Sequence, residues 1–277
     1  MRIKTLKLIM ALVLTSVGVK AQPFLLKSGA EAKPFLMNIY YGTGGKGAYV
    51  KYLGQQGVIP LRLKSRKTQG EAPAVQLTYV WDEVLDGKVT GTYQLSEQAN
   101  QVSAAWYIRN KDQKRFKLEQ VKNPEADAEK AGYLLHGALI SFSKGMDDRL
   151  TFRYPGKLTK TARLPGFDSP DPQRKGTIAD YNFDGYDDVA FSIPDAGMGV
   201  YRTFTIYLYN PVSKRFERLA EPQDPRAKCT GFCDVTLDQK NKRFITACRG
   251  GASWWTNVYQ YQSRNRLVWL SSRKAAN

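Results

Sequence analysis

The chain has 277 residues, with 42 Lys and Arg against 25 Asp and Glu and a formal net charge of +17. That length suits one large all-β domain or two small ones, and so basic a balance points to an anionic polymer, an acidic protein or nucleic acid as partner. The basic residues are scattered over the whole chain and no nucleic-acid module is legible, so nucleic acid is set aside.

Residues 1–21, MRIKTLKLIMALVLTSVGVKA, combine a basic start (Arg2, Lys4, Lys7), an apolar run from Leu8 to Val19 and short residues at Val19 and Ala21. This is the pattern of a secretory signal peptide cut before Gln22. The run is shorter than the ~20 apolar residues of a membrane span, and no later segment is long and apolar enough to cross a bilayer. No cysteine follows the cleavage site, which argues against a lipid anchor. Residues 22–277 would then carry +13, because the leader holds four of the basic residues and no acid. The expected location is beyond the inner membrane, in the periplasm.

Strand signals dominate the chain after the leader. FLMNIYY, GAYVKYL, IPLRLKS, VQLTYVWDE, VTGTYQLS, QVSAAWYIR and RFKLEQV alternate apolar with polar residues between Gly, Asn, Asp and Lys turns, as an antiparallel meander does. GTGGKG at 42–47 matches the dinucleotide fingerprint, but that motif needs a helix behind it. AYVKYL alternates like a strand, so GTGGKG reads as a turn.

NPEADAEKAGYLL, rich in Ala and Glu after Pro124, is the one segment expected to be helical or irregular. The stretch from Tyr154 to Gly176 carries four prolines and few large apolar residues, and reads as a linker or long loop. Strands resume with DVAFSIP, YRTFTIYLYN, RFERL, a cysteine hairpin, WTNVYQYQ and RLVWLSS. The expected fold class is all-β, in antiparallel meanders, either propeller-like or as two packed β modules. The division is a leader at 1–21, an N-terminal β module at 22–156, a linker at 157–175 and a C-terminal β module at 176–277.

The segment IADYNFDGYDDVAFS at 178–192 carries the most specific signal. With Asp180 as position 1, side-chain oxygens fall at 1, 3, 5 and 9 (Asp180, Asn182, Asp184, Asp188), the Tyr186 carbonyl at 7 and Gly185 at the turn position 6. Alternate residues of a tight turn point inward, and such an oxygen set is what Ca²⁺ requires. An EF-hand would need Glu at position 12, where Phe191 stands in a strand. Asp188 is therefore expected to close the site, with Asp187 facing outward.

Three cysteines, Cys229, Cys233 and Cys248, lie near the C-terminus, and an oxidising compartment favours one disulfide and one leftover thiol. With a turn centred between Lys240 and Asn241, Cys233 sits opposite Cys248 and Cys229 a few residues before the strand. Either can reach Cys248. Zinc is disfavoured, since three thiolates leave its tetrahedron incomplete and the only histidine is distant.

Signs of catalysis are weak. His136 lies in the apolar run GYLLHGALISF and reads as a satisfied, half-buried residue. No nucleophile elbow or HExxH motif occurs, and adjacent carboxylates such as Asp82 with Glu83 or Asp147 with Asp148 do not define a glycosidase pair. The chain is expected not to be an enzyme. In GGASWWTNVYQY, alternation should bury one of Trp254 and Trp255 and expose the other near Arg249, an arrangement suited to anchoring a protein partner or a sugar ring.

D-x-N-x-D-G-x-x-D running into an apolar strand resembles the calcium loops of FG-GAP or integrin-type propeller blades, here as a single copy. With YLYNPVSKRFERL and the cysteine segment through NVYQY, it is similar to a family of small exported bacterial proteins. That family includes the lysozyme-inhibitor-like periplasmic immunity protein that neutralises a peptidoglycan hydrolase delivered by a bacterial-killing type IV secretion system. The segment from IPLRL to RFKLEQV also looks like a β-meander of such proteins. The resemblance implies a Ca²⁺ cofactor, a Cys229–Cys248 pairing that leaves Cys233 as a departure, and a secreted peptidoglycan hydrolase as partner. Arg249, Trp254 and Trp255 are the expected anchors, and the rival expectation is a module that binds peptidoglycan or another polysaccharide itself.

Overall fold

The computed structural model describes residues 23–29, 33–121, 129–167, 173–196, 199–262 and 265–274. The leader expected at 1–21 lies outside them. Among the described residues, apart from two three-residue 3-10 turns, every regular element is a β-strand and every sheet is antiparallel, so the fold is all-β.

Alternating apolar positions first build a closed eight-stranded barrel. Its strands are β1 (Phe24–Ser28), β2 (Leu36–Tyr40), β3 (Tyr49–Tyr52) and β4 (Ile59–Gln69), then β5 (Gln76–Leu85), β6 (Lys88–Gln98), β7 (Gln101–Arg109) and β8 (Arg115–Gln120). The chain runs up and down until β8 returns to β1, with Leu26 opposite Gln120 and Ser28 opposite Leu118. Closure leaves no free sheet edge. Inward residues, among them Leu26, Met37, Val50, Trp81, Tyr93 and Leu95, fill the interior as a packed core.

Two carboxylates reach the barrel interior, Glu97 beside the core tyrosines Tyr41 and Tyr79, and Glu83. Glu83 is buried, and its carboxylate accepts hydrogen bonds from the hydroxyls of Tyr93 and Tyr107, each at 3.0 Å, and of Thr90 at 2.7 Å. Burial holds both tyrosine hydroxyls above their ordinary pKa, so they remain donors. Asp82 points the other way, toward Arg62 and Lys64 at 3.7 and 3.8 Å, so the two adjacent carboxylates occupy opposite faces.

Three four-stranded meanders complete the chain. The first holds β9 (Lys130–Leu135), β10 (Ala138–Ser143), β11 (Arg149–Arg153) and β12 (Thr159–Arg163). The second holds β13 (Lys175–Ala179), β14 (Asp188–Pro194), β15 (Arg202–Asn210) and β16 (Arg215–Arg218). The third holds β17 (Thr236–Asp238), β18 (Arg243–Gly250), β19 (Ser253–Gln262) and β20 (Arg266–Lys274). The middle sheet is buried on both faces. Val189, Phe191, Tyr207 and Tyr209 pack with Ile140, Leu150 and Phe152 of the first sheet. Their neighbours Ala190, Ile206 and Leu208 pack with Phe244, Tyr259 and Leu267 of the third. This is why DVAFSIP reads as a nearly continuous apolar run rather than an alternating one.

Two sequence expectations are corrected here. The helical or irregular reading of NPEADAEKAGYLL falls outside the described residues at 122–128, and Lys130–Leu135 is strand β9, where Tyr133 and Leu135 are drawn into the core of the first two sheets. The linker at 157–175 contains β12 and, one residue before its end, Arg174, which is 2 % exposed. The Arg174 guanidinium donates to the carbonyls of Ser143, Gly145, Asp147 and Pro165 at 2.7–2.9 Å, tying the proline-rich chain to the first sheet. One core therefore spans Tyr133 to Phe216, across the boundary expected near Gly156, and the break between cores falls after β8.

GTGGKG is the turn by which the barrel meets the sheets. A side chain on Gly42 would overlap Ile178 and Tyr133, and one on Gly47 would press on the same pair. The Gly47 carbonyl accepts the Leu134 amide at 2.9 Å, and the Gly45 carbonyl accepts Trp81 Nε1 at 2.8 Å. The glycines thus serve close approach of backbone to side chains.

Replacing Glu83 with Leu removes an acceptor from two buried tyrosine hydroxyls, each worth about 1–3 kcal/mol when left unsatisfied. Urea unfolding of Glu83→Leu should show a loss of about 2–4 kcal/mol, and Glu83→Gln, which keeps one acceptor, a smaller one. Equal stability of all three proteins would contradict the network.

Candidate functional site: the 180–188 loop and its surroundings

The loop joins β13 to β14 in the middle sheet. Its shape comes from side chains that capture their own backbone. Asp180 accepts the amides of Asp184 and Gly185 at 3.1 and 2.8 Å, and Asp184 accepts that of Tyr186 at 2.9 Å. These are the local bonds by which Asp stabilises tight turns. Phe183 and Gly185 occupy the left-handed region, with φ of 62° and 92°. Glycine accepts that conformation without strain.

Asp188 does a different job. It is 0 % exposed, and its two oxygens accept the Tyr181 amide at 2.8 Å and the Tyr209 amide at 2.7 Å. One carboxylate therefore pins the loop's entry to β15. Its pKa is pushed up to about 7, first by burial and then by the negative charges of Asp184 and Asp180, against the lowering effect of the two amides. Tyr181, beside it, is raised to about 12 by burial, with its hydroxyl held 2.7 Å from Thr177 Oγ1.

Every sheet of the molecule reaches this loop. Lys46, from the barrel's GTGGKG turn, meets Asp187 Oδ1 at 2.5 Å. From the first sheet, His136 Nε2 donates to the Asp187 carbonyl at 2.7 Å while its ring stacks on Tyr209 at 3.9 Å. From the third, Asn265 accepts Asn182 Nδ2 at 3.1 Å and Gln239 Nε2 approaches the Asp180 carbonyl at 3.5 Å.

Of the sequence-predicted oxygens, Asp180, Asn182, Asp184, Tyr186 and Asp188 all lie in the one loop. Asp187 is not a free outward neighbour: it is the residue that Lys46 and His136 hold. His136, expected as a satisfied, half-buried residue of an apolar run, is satisfied by its hydrogen bond but is an exposed turn residue at φ 49°, with Gly137 beside it and its ring stacked on Tyr209.

As a donor set the loop suits a hard cation: three carboxylates, an amide oxygen and a carbonyl, all oxygen. Among the described residues, no Lys, Arg or His forms an ion pair with Asp180, Asp184 or Asp188. The side chains do not converge on one point, however: no group of three or more His, Cys, Asp or Glu among the described residues encloses a metal position. Asp184 Oδ2 instead accepts from the Asn182 amide at 2.8 Å.

In the third sheet the disulfide is Cys229–Cys248, as the resemblance implied. The hairpin has the expected register, with Thr236 opposite Ile245 and Asp238 opposite Arg243. The strand ends at Thr236, and Cys233 turns aside to bridge Thr203 of β15, although its carbonyl still accepts the Ala247 amide at 2.9 Å. Cys233 is a buried free thiol, raised to about 11 by burial and by the nearby charges of Asp234, Glu221 and Asp195.

Neither tryptophan is buried; both are half-buried, on opposite faces of β19. Trp255 lies opposite Cys248 and packs on the cysteine cluster. Trp254 lies opposite Arg249 and meets Tyr201 edge-on at 6.5 Å. Only Arg249 and Trp254 of the three expected anchors share a surface.

Compared with protein-family models and with curated proteins, the chain matches none.

The thiolate is the reactive form of cysteine, and burial suppresses it at Cys233. Native protein should therefore leave a thiol-reactive chromogenic disulfide unchanged over minutes at neutral pH and release one thiol per chain in urea. Fast reaction of the native form would place Cys233 at the surface.

Proposed function

We propose that the chain is an exported, periplasmic, calcium-stabilised binding protein that inhibits a secreted peptidoglycan hydrolase, acting as an immunity protein of the lysozyme-inhibitor kind rather than as an enzyme. The observation that carries the structural half is the 180–188 loop. Three carboxylates unpaired by any cation among the described residues stand where all four sheets meet. A Ca²⁺ ion held by Asp180, Asn182, Asp184, the Tyr186 carbonyl and Asp188 would supply the missing positive charge. It would stiffen the junction; the chemistry it brings is charge and coordination, not catalysis.

Support for the location comes from the leader pattern at 1–21 and from the Cys229–Cys248 disulfide, which is at home in an oxidising space. Among the described residues no helix is long and apolar enough to cross a membrane. The partner reading draws on the resemblance of the loop and cysteine segments to the immunity family and on the basic balance of the chain, which favours encounter with a carboxylate-lined cleft. The proposed binding anchors are Arg249 and Trp254.

Native-state binding stabilises by about 2.7 kcal/mol at a hundredfold excess over Kd. For a protein of this size that corresponds to roughly 5–10 °C in Tm. Millimolar calcium should raise the melting midpoint by that amount over EDTA, and Asp184→Ala should abolish the rise while leaving a cooperative transition. Equal midpoints would remove the metal. For the activity, a secreted peptidoglycan hydrolase is expected to be encoded beside this gene, with stoichiometric protection of cell walls against it. Undiminished lysis, with the protein itself captured by insoluble peptidoglycan, would favour a wall-binding module instead.

A further inference from the structure

The three meanders form a stack whose middle sheet is covered on both faces, so each end sheet has one outward face. The two outward faces differ. On β11 and β12, cross-strand register places Arg149, Thr151 and Arg153 beside Arg163, Thr161 and Thr159. That surface is polar on these two strands, with one apolar pair beside them, Leu139 of β10 opposite Leu134 of β9.

The outward face of β17–β20 is less polar. Residues of β18 whose neighbours Phe244, Thr246 and Cys248 point inward are Ile245 and Ala247, and they pair with Val258 and Thr256 of β19. Trp254 continues the row. Ile245, Ala247, Trp254 and Val258 are half-buried and belong to none of the hydrophobic cores. Arginines frame them: Arg249 opposite Trp254, Arg273 opposite Thr256, and Arg243 at the other end, where it bonds Gln260. The carboxylate on this face, Asp238, is held by the Asn241 amide group at 2.7 Å.

We propose that this face is the docking surface for an acidic protein, with Ile245, Trp254 and Val258 as the apolar centre and Arg243, Arg249 and Arg273 as the charged rim. An apolar centre with aromatic and arginine anchors is the anatomy of a protein interface. The arginines call for carboxylates on the partner's rim. A hydrophilic polyanion would meet the arginines but would have nothing apolar to bury on the centre, and this is what selects a protein as occupant. The surface is also rigid: it rests on the doubly packed middle sheet through Phe244 and Tyr259, and the disulfide fastens β18 to the segment before it. The identity of the partner as the hydrolase rests on the function proposed above.

The test uses the mature protein and the purified peptidoglycan hydrolase that the function proposed above expects beside its gene, with affinity measured by calorimetry and protection by wall lysis. Trp254→Ala, and separately Arg249→Glu with Arg273→Glu, should each weaken binding at least about 30-fold, the scale of an interface hot spot. Arg149→Glu with Arg153→Glu makes the same change in net charge on the opposite end of the stack and should weaken it less than about 3-fold. The arginines are exposed, so their reversal tests the surface even if Trp254→Ala proves poorly folded. Equal weakening by both charge reversals would reduce the effect to diffuse charge and overturn the proposal. So would full binding by every variant, with the inhibitor reading left intact. Failure of the unmodified protein to bind or inhibit the hydrolase would remove the inhibitor reading and this partner assignment together.

Discussion

A single buried carboxylate holds the centre of this molecule. Asp188 begins β14, spans the loop back to Tyr181 and reaches across to Tyr209 on β15, so the loop closes only when three strands are already in register. A buried charge is costly unless hydrogen bonded, and two amides satisfy it here. The adjoining residues then recruit the rest of the structure: Asp187 takes Lys46 of the barrel and His136 of the first sheet, and Asn182 takes Asn265 of the third. The partly exposed Lys46–Asp187 pair adds little stability by itself, on the order of 0–1 kcal/mol. Its effect is to fix orientation, and the close packing of Gly42 and Gly47 on Ile178 and Tyr133 makes that orientation specific.

From this arrangement comes a division of labour. The barrel carries its own core and no sheet edge, and the stacked meanders carry theirs. A cation in the loop would act where these units touch, which is where a modest gain in local stability most affects the relative placement of large pieces. The third sheet, farthest along the stack from the first, presents the face with an apolar centre. In the proposed reading, the cation acts at the junction and recognition takes place at the far end of the stack.

Local patterns were legible in the sequence because they depend on neighbours along the chain. Alternation located the barrel strands β2 to β8, the oxygen spacing located the whole of the 180–188 loop, and the turn at Lys240–Asn241 gave the hairpin register. Barrel closure was not legible, since β1 meets β8 only after the whole meander is built. β9 was hidden by its Ala- and Glu-rich approach, and the order of the expected linker by its proline content, although Arg174 ties the Pro165 carbonyl to those of Ser143, Gly145 and Asp147. Lys46, His136 and Asn265 were missed as neighbours of the loop because each comes from a different sheet. His136–Gly137 did carry a signal, a turn dipeptide between two apolar runs. The patch around Ile245 and Val258 depends on register and on the β19–β20 irregularity at Val258, which no spacing rule supplies.

A cation in the 180–188 loop is proposed to secure the junction of the four sheets. Amide hydrogen exchange of the full-length mature protein, followed residue by residue with calcium and with EDTA, addresses it most directly. Calcium is expected to slow exchange at Asp184, Gly185 and Tyr186 in the loop, at Tyr209 across the Asp188 bridge and at Leu134 where the barrel docks, with the barrel interior unchanged. Identical exchange in the two conditions would contradict it.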